Sequence, residues 1–216
     1  AHIREVDAVC QVVRCFEDGN VTHVDGSVDA LRDVGTIETE LMLADLQVVE
    51  NSLHKIKKQA RSGDADAART QELLIMCQEA LQSGKAVRTL EISDPEDRRL
   101  LKSLALISAK PVLYIANVGE DEVETGNAEV EKLKAYAEEQ NCEIVTVSAR
   151  TEEELIELDP AERMEMLESL GMSEPALHRV IRGTYHLLGL QSYYTAGPKE
   201  IRAWTVPQGA TAPEAA

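Results

Sequence analysis

PVLYIANVGE, residues 111–120, runs Val112, Leu113, Tyr114, Ile115 and Ala116 together and then turns at Asn117 and Gly119. An unbroken apolar run closed by turn residues predicts a strand buried on both faces of a parallel sheet. AVCQVVRCF at 8–16 repeats the pattern and predicts a second such strand; EIVTVS at 143–148 predicts a third. NAEVEKLKAYAEEQ, 127–140, reads as a helix with Val130, Leu133 and Ala137 inward. A strand–helix–strand unit implies a parallel pair with a right-handed crossover. The class is α/β.

A different period interrupts these strands. Met42, Leu46, Val49, Leu53, Ile56 and Ala60 form a heptad seam on one helix. Ser62-Gly63-Asp64 breaks it, with Gly suited to the helix end and Asp64 to the next cap. A second helix runs to about Ser83 on an Ala67, Leu74, Cys77, Leu81 stripe, and the two read as an antiparallel hairpin. Another helical piece starts near Asp94-Pro95-Glu96, with Ser93 as its expected cap. After the third strand come acidic helical segments around 151–170, stopped at Gly171. A helix from Glu174 to Leu190 then carries Leu177, Val180, Ile181 and Leu188. KEIRAWTV, 199–206, reads as a strand opening a new domain. Gly19-Asn20 and Asp25-Gly26 are turn signals.

Bulk properties narrow the classes. Apolar residues make up 44% and charged residues 28% of 216, a globular balance with only 3% aromatics. No apolar run approaches the roughly 20 residues a bilayer span needs. The opening AHIREVDAVC lacks a signal-type stretch and an initiator Met, and it reads as the interior of a longer sequence. Cys10, Cys15, Cys77 and Cys142 form no CxxC pair, so reduced structural thiols in the cytosol are expected, with no metal site. The net charge of −17 opposes unassisted binding to nucleic acid. One local exception is Lys55, Lys57, Lys58 and Arg61; such runs are mostly solvated helix faces, with an RNA or anion contact as the minority reading.

Chemistry is expected at the carboxyl ends of the strands. One end presents Asn117-Val118-Gly119-Glu120 and the next Ser148-Ala149-Arg150. The pairing matches the base-recognition layout of GTPase-like P-loop proteins, NKxD followed by SA(K). An Asp in the last NKxD position accepts from guanine N1–H and the exocyclic amine. Glu120 shifts that carboxylate, which weakens guanine selectivity and admits adenine. Val118 offers an apolar contact to a base face, and Asn117 bridges base and backbone. The amides of Ser148 and Ala149 are expected to meet a base acceptor. The bland alternative is that Asn and Ser simply end strands, as they often do. No GxxxxGK[ST] occurs in the 216 residues, and no DxxG follows a strand. Phosphoryl transfer therefore lacks its cradle here.

With REVDAVCQVVRCFED, IETELMLADLQVVE, KPVLYIANVGEDE and EPALHRVIRGTYHLLGLQSYYTAGPKEIRAWTVPQGATAP on the page, the sequence resembles the YchF/Obg-like ATPases. The resemblance implies an incomplete P-loop NTPase core, a Rossmann-like parallel sheet with an inserted helical hairpin and the start of a β-grasp TGS domain. It implies G-domain residues 1–34, a helical (coiled-coil) insertion at 35–100, the rest of the G domain at 101–195 and TGS from 196 to 216. In the full-length protein it implies ATP binding and Mg²⁺-dependent hydrolysis, GTP being weaker. The implied partner is the ribosome, large subunit or whole, through rRNA, in the cytoplasm and without a membrane. Base contacts carry over only to Asn117, Val118, Glu120, Ser148 and Ala149. No catalytic residue carries over, so this chain alone is expected to be inactive. A non-catalytic scaffold or RNA/ribosome interaction protein is the other class; the persistence of both base motifs favours the first.

Overall fold

A computed structural model describes residues 2–19, 21, 26–61, 63–198 and 200–215. The elements run β1 (Val9–Arg14), α1 (Ala30–Arg61), α2 (Ala65–Gln82), α3 (Pro95–Ser103), β2 (Val112–Asn117), α4 (Ala128–Glu139) and β3 (Glu143–Val147). They continue with α5 (Ala149–Glu157), α6 (Pro160–Ser169), α7 (Ala176–Leu187), β4 (Leu190–Ala196) and β5 (Ile201–Pro207). The turn-signal residues Asn20 and Asp25, together with Ser62 and Lys199, lie outside the described residues. The chain divides into two compact units, Ala1–Val9 with Leu31–Pro111 and Cys10–Ala30 with Val112–Ala216.

The first unit is the helical one. Asp64 caps α2 by accepting from the Asp66 and Ala67 amides, both at 3.1 Å. Gly63 supplies the left-handed turn at φ +89°. Val49, Leu74, Cys77, Leu81, Val87 and Leu106 form the buried core, and Met42, Leu46, Leu53 and Ile56 of the seam pack against it. Helices three residues apart in sequence that share a core can only fold back on each other, as the heptad seam predicts. Asp45 is a polar group inside this unit, wholly buried. Its carboxylate accepts from Arg4 at 2.7 Å, the Ile107 amide at 3.1 Å, and the Ser108 amide and hydroxyl at 2.7 Å each. The α3 cap is Asp94, not Ser93. Pro95 holds the residue before it in extended backbone, and Asp94 then accepts from the Glu96 and Asp97 amides.

The second unit is the α/β one. Its sheet has the order β1-β2-β3. β2 and β3 are parallel, in register from Leu113↔Glu143 to Asn117↔Val147. The Val9 amide bonds the Pro111 carbonyl and the Cys15 amide the Asn117 carbonyl, so β1 runs the same way. Val112 to Ala116 are all buried, as the apolar run requires. β1 departs from expectation: Cys10 is exposed and Val12 is 64% exposed. α7 packs on β2 and β3 through Gly183, which lies against Leu113 and Val145, and meets β1 where Thr184 contacts Cys10. The same contact selects the inward face of α7. Val180 and Leu188 are half-buried while Leu177 and Ile181 point outward, contrary to the apolar stripe. α7 also stops at Leu187 rather than Leu190. Gly189, at φ +61°, reverses the chain, and 190–196 becomes β4, antiparallel to β5 from Leu190↔Pro207 to Ala196↔Ile201.

Candidate nucleotide-base site

Parallel strands that end level with one another leave their following loops side by side. The Val118 amide donates to the Val147 carbonyl at 2.9 Å, extending the β2–β3 ladder one step into the turn. Beyond that step an open cleft of about 800 Å³ is lined by Phe16, Asn117, Glu120, Asp121, Ser148, Ala149 and Arg150, among others. All five residues expected to contact a base meet here. The two motifs touch directly, because the Ala149 amide donates to Asn117 Oδ1 at 3.0 Å.

That contact bears on two roles. The Ala149 N–H is already engaged by protein, so it does not meet a base acceptor. Asn117 bridges to backbone as expected, and with its oxygen engaged it turns its NH₂ end away from Ala149. Val118 lines the cleft but is only 3% exposed, so its apolar surface is mostly committed to the interior. Ser148 is 1% exposed and caps α5, its hydroxyl accepting from the Thr151 amide at 3.3 Å. Glu120 opens a short 3₁₀ turn, Glu120–Glu122, and its Oε1 forms an ion pair with Arg150 Nε at 2.9 Å.

Side chains outside the two motifs hold this geometry. Arg14 donates to the Phe16 carbonyl at 3.1 Å and to the Val21 carbonyl at 2.9 Å. Its guanidinium also sits 4.7 Å from the Phe16 ring centroid, fixing the loop that follows β1. Asn127 caps α4 by accepting from the Glu129 and Val130 amides, while its Nδ2 donates to the Cys15 carbonyl and to Glu122. Glu122 in turn accepts from the Gly119 amide at 3.2 Å. An Asn before an acidic helix start signals a cap, but nothing in the sequence signals the reach back to β1. Glu129, in a neighbouring cleft, is held below the usual carboxylate range by Lys132, at 2.6 Å, and by the Ala30 amide.

The cleft is acidic. Glu17, Asp18, Glu120, Asp121 and Glu153 line it against Arg150, the single cation among the described residues of its lining. It suits a ligand that brings hydrogen-bond donors more than one that brings phosphate. Elsewhere, Lys55, Lys57 and Arg61 are exposed on α1, and the Lys58 side chain lies outside the described residues. Among the described residues no three His, Cys, Asp or Glu side chains are grouped to hold a metal, and no helix is long and apolar enough to cross a membrane.

Known proteins resemble this chain in sequence and in fold. A family model described as "Protein of unknown function (DUF933)", YchF-GTPase_C, matches residues 190–216, the segment that forms β4 and β5. The ribosome-binding ATPase YchF of Bacillus subtilis is 45% identical over 218 residues, covering all of this chain and 59% of that protein. Its Escherichia coli O157:H7 counterpart is 44% identical over 215 residues, with the same shares. This chain therefore spans about 59% of the length of the curated relatives it matches. The solved structure of the Schizosaccharomyces pombe YchF GTPase superposes with a TM-score of 0.87 at 30% identity, over 99% of this chain and 58% of that one. Similarity that runs the whole length of the chain in both sequence and fold places it in the YchF/Obg-like family of P-loop NTPases.

Proposed function

We propose that the cleft at the ends of β2 and β3 takes a purine base, adenine before guanine, and that the chain is the base-reading part of a ribosome-associated ATPase. The observation that carries this is the Asn117–Ala149 hydrogen bond, which joins the two motifs in one cleft. An asparagine whose oxygen is engaged offers donors, which suit a purine N7; Glu120 offers an acceptor, which suits the exocyclic amine of adenine. Among the relatives, the bacterial proteins are named ATPases and the yeast structure a GTPase. Glu120 inclines this chain to ATP.

The phosphates do not fit the same cleft, whose carboxylates would repel them. Nor does Mg²⁺ fit, because the described residues group no metal-holding side chains and the sequence has no glycine loop with a following hydroxyl. No hydrolytic step is derived from these residues, and the 216-residue chain by itself turns over no ATP. In the whole protein ATP is bound and hydrolysed, with GTP weaker. Its partner is the ribosome, met through rRNA by Lys55, Lys57, Lys58 and Arg61, in the cytoplasm. The domain divisions at 1–34, 35–100, 101–195 and 196–216 belong to this reading.

Titrating ATP and GTP into the isotope-labelled chain tests it by NMR. The amides of Asn117 to Glu120 and of Ser148 and Ala149 move, and ATP saturates first. Asn117→Asp keeps the oxygen that Ala149 needs but removes the NH₂ donors, and binding is lost. Unchanged affinity in Asn117→Asp, or shifts confined to other regions, overturns the reading.

A further inference from the structure

Glu120 does not face the cleft alone. Arg150 Nε stands 2.9 Å from Glu120 Oε1 in an ion pair and donates its hydrogen bond to Glu154 Oε1 at 3.3 Å. Arg150 and Glu120 both line the cleft, and Glu154 sits one helical turn beyond Arg150 on α5. The Arg150 side chain is 73% exposed, so it plays no part in the packed core.

The consequence follows from counting acceptors. Guanine presents two adjacent donors, N1–H and the exocyclic amine, and a carboxylate meets them with both oxygens. Adenine presents one donor on that edge, its exocyclic amine, beside an acceptor. An ion pair draws one carboxylate oxygen towards Arg150 and leaves the other better placed for a base, which matches the single donor of adenine and serves the donor pair of guanine less well. Asn117 is treated in the same way, its oxygen held by Ala149 and its donors left over. Both base-reading side chains are thus half committed to protein partners, and each retains the half that adenine complements.

Resting on the base-site assignment above, we infer that Arg150 is a specificity-determining positioning residue, which biases the cleft against guanine by holding one oxygen of Glu120. Arg150 acts through Glu120 rather than by touching the base. Glu154 competes for the same Nε, so it loosens the clamp. Because the pair is exposed, the size of the effect is modest, up to about fivefold in the ratio of affinities.

Adenosine and guanosine are the probes, since nucleosides carry no phosphate for the acidic cleft to repel. Their dissociation constants are measured by NMR titration of the 216-residue chain and its variants. Arg150→Ala lowers the adenosine-to-guanosine preference by about three- to fivefold, mainly by strengthening guanosine. Arg150→Lys restores most of it, and Glu154→Gln raises it. In a Glu120→Gln background Arg150→Ala changes nothing, because the carboxylate it positions is gone. A merely structural Arg150 would weaken both nucleosides equally. An unchanged ratio in Arg150→Ala, with adenosine still bound at Asn117 and Ala149, overturns the clamp alone. Failure of wild-type chain to bind either nucleoside there overturns the clamp and the base site together.

Discussion

Asn127 Nδ2 stands 2.9 Å from Glu122 Oε2 and 2.6 Å from the Cys15 carbonyl, so one side chain ties the end of β1 to the turn that carries Glu120. The other end of the same amide caps α4. Asn127→Ala removes the cap, worth about 1 kcal/mol, and both tethers. Urea denaturation should report a loss of about 2 kcal/mol, with weaker ATP binding beyond what the lost stability explains. Asn127→Asp retains the cap but sets a carboxylate against Glu122, so it should recover part of the stability and none of the binding. Equal binding in both variants and wild type would remove Asn127 from the site.

The sheet was legible because its patterns are local. Val112–Ala116 needs no partner to read as a buried strand, and the Met42–Ala60 spacing needs none to read as a seam. Asn117 and Ser148 were legible as candidates for a site because they end such strands. What the sequence hides is long-range or one atom wide. Thirty positions separate Glu120 from Arg150, and nothing local pairs them. The bond from Ala149 to Asn117 engages a donor that motif logic would leave to the base. Leu190 continues the apolar run of α7, and the positive φ of Gly189 is what makes it a strand start instead. Leu177 and Ile181 look like a core stripe until Gly183, small enough to sit on Leu113 and Val145, chooses the other face. β1 reads as doubly buried, yet α7 leaves Val12 uncovered.

Asp45 makes a sharper demand on stability. Four donors converge on a carboxylate with no exposure, two of them backbone amides in the 107–108 turn. Replacing it by Ala strands those amides and leaves the Arg4 guanidinium only the Ala44 and Ala105 carbonyls, a cost of about 3 kcal/mol or more. Ser108→Ala removes one hydroxyl donor and should cost about 1 kcal/mol. Chemical denaturation of both variants checks the ordering. An Asp45→Ala chain within 1 kcal/mol of wild type would contradict it.

Cys77 sits in the core between α1 and α2, and burial, aided by the Asp45 charge, pushes its thiol up from 9.0 to about 11. Between those values the unfolded chain releases a proton that the folded chain keeps. The stability this contributes is complete below about pH 9 and is lost as pH rises towards about 11. Cys77→Ala leaves a small cavity and is less stable near neutrality, yet it should lose less on passing into alkali. Denaturation midpoints at about pH 8 and about pH 10.5 read the difference. Parallel losses in both chains would rule out the thiol.

Lys57 and Arg61 stand one turn apart on the exposed end of α1, in a chain of net charge −17. Any rRNA contact must be local against that background. Lys57→Ala with Arg61→Ala should weaken ribosome co-sedimentation by about tenfold and lower the salt slope of binding by one to two. Lys55, pointing about 160° away from Lys57 around the helix, should matter less. An unchanged slope would leave these cations as a solvated helix face.

Glu120→Asp brings the two halves of the specificity argument together. The shorter side chain cannot span to Arg150 as Glu120 does at 2.9 Å. Withdrawn from the clamp, an Asp carboxylate presents both oxygens, and guanine N1–H and its amine can each find one. In a protein carrying the complete nucleotide site, the substitution should therefore move preference from ATP towards GTP by about fivefold, through GTP affinity more than through ATP loss. Competition binding of the two nucleotides gives the ratio directly. Combining Glu120→Asp with Arg150→Ala should add nothing further, because the clamp is already released. A ratio that stays put in Glu120→Asp would mean that this carboxylate does not read the base at all, whatever holds it in place.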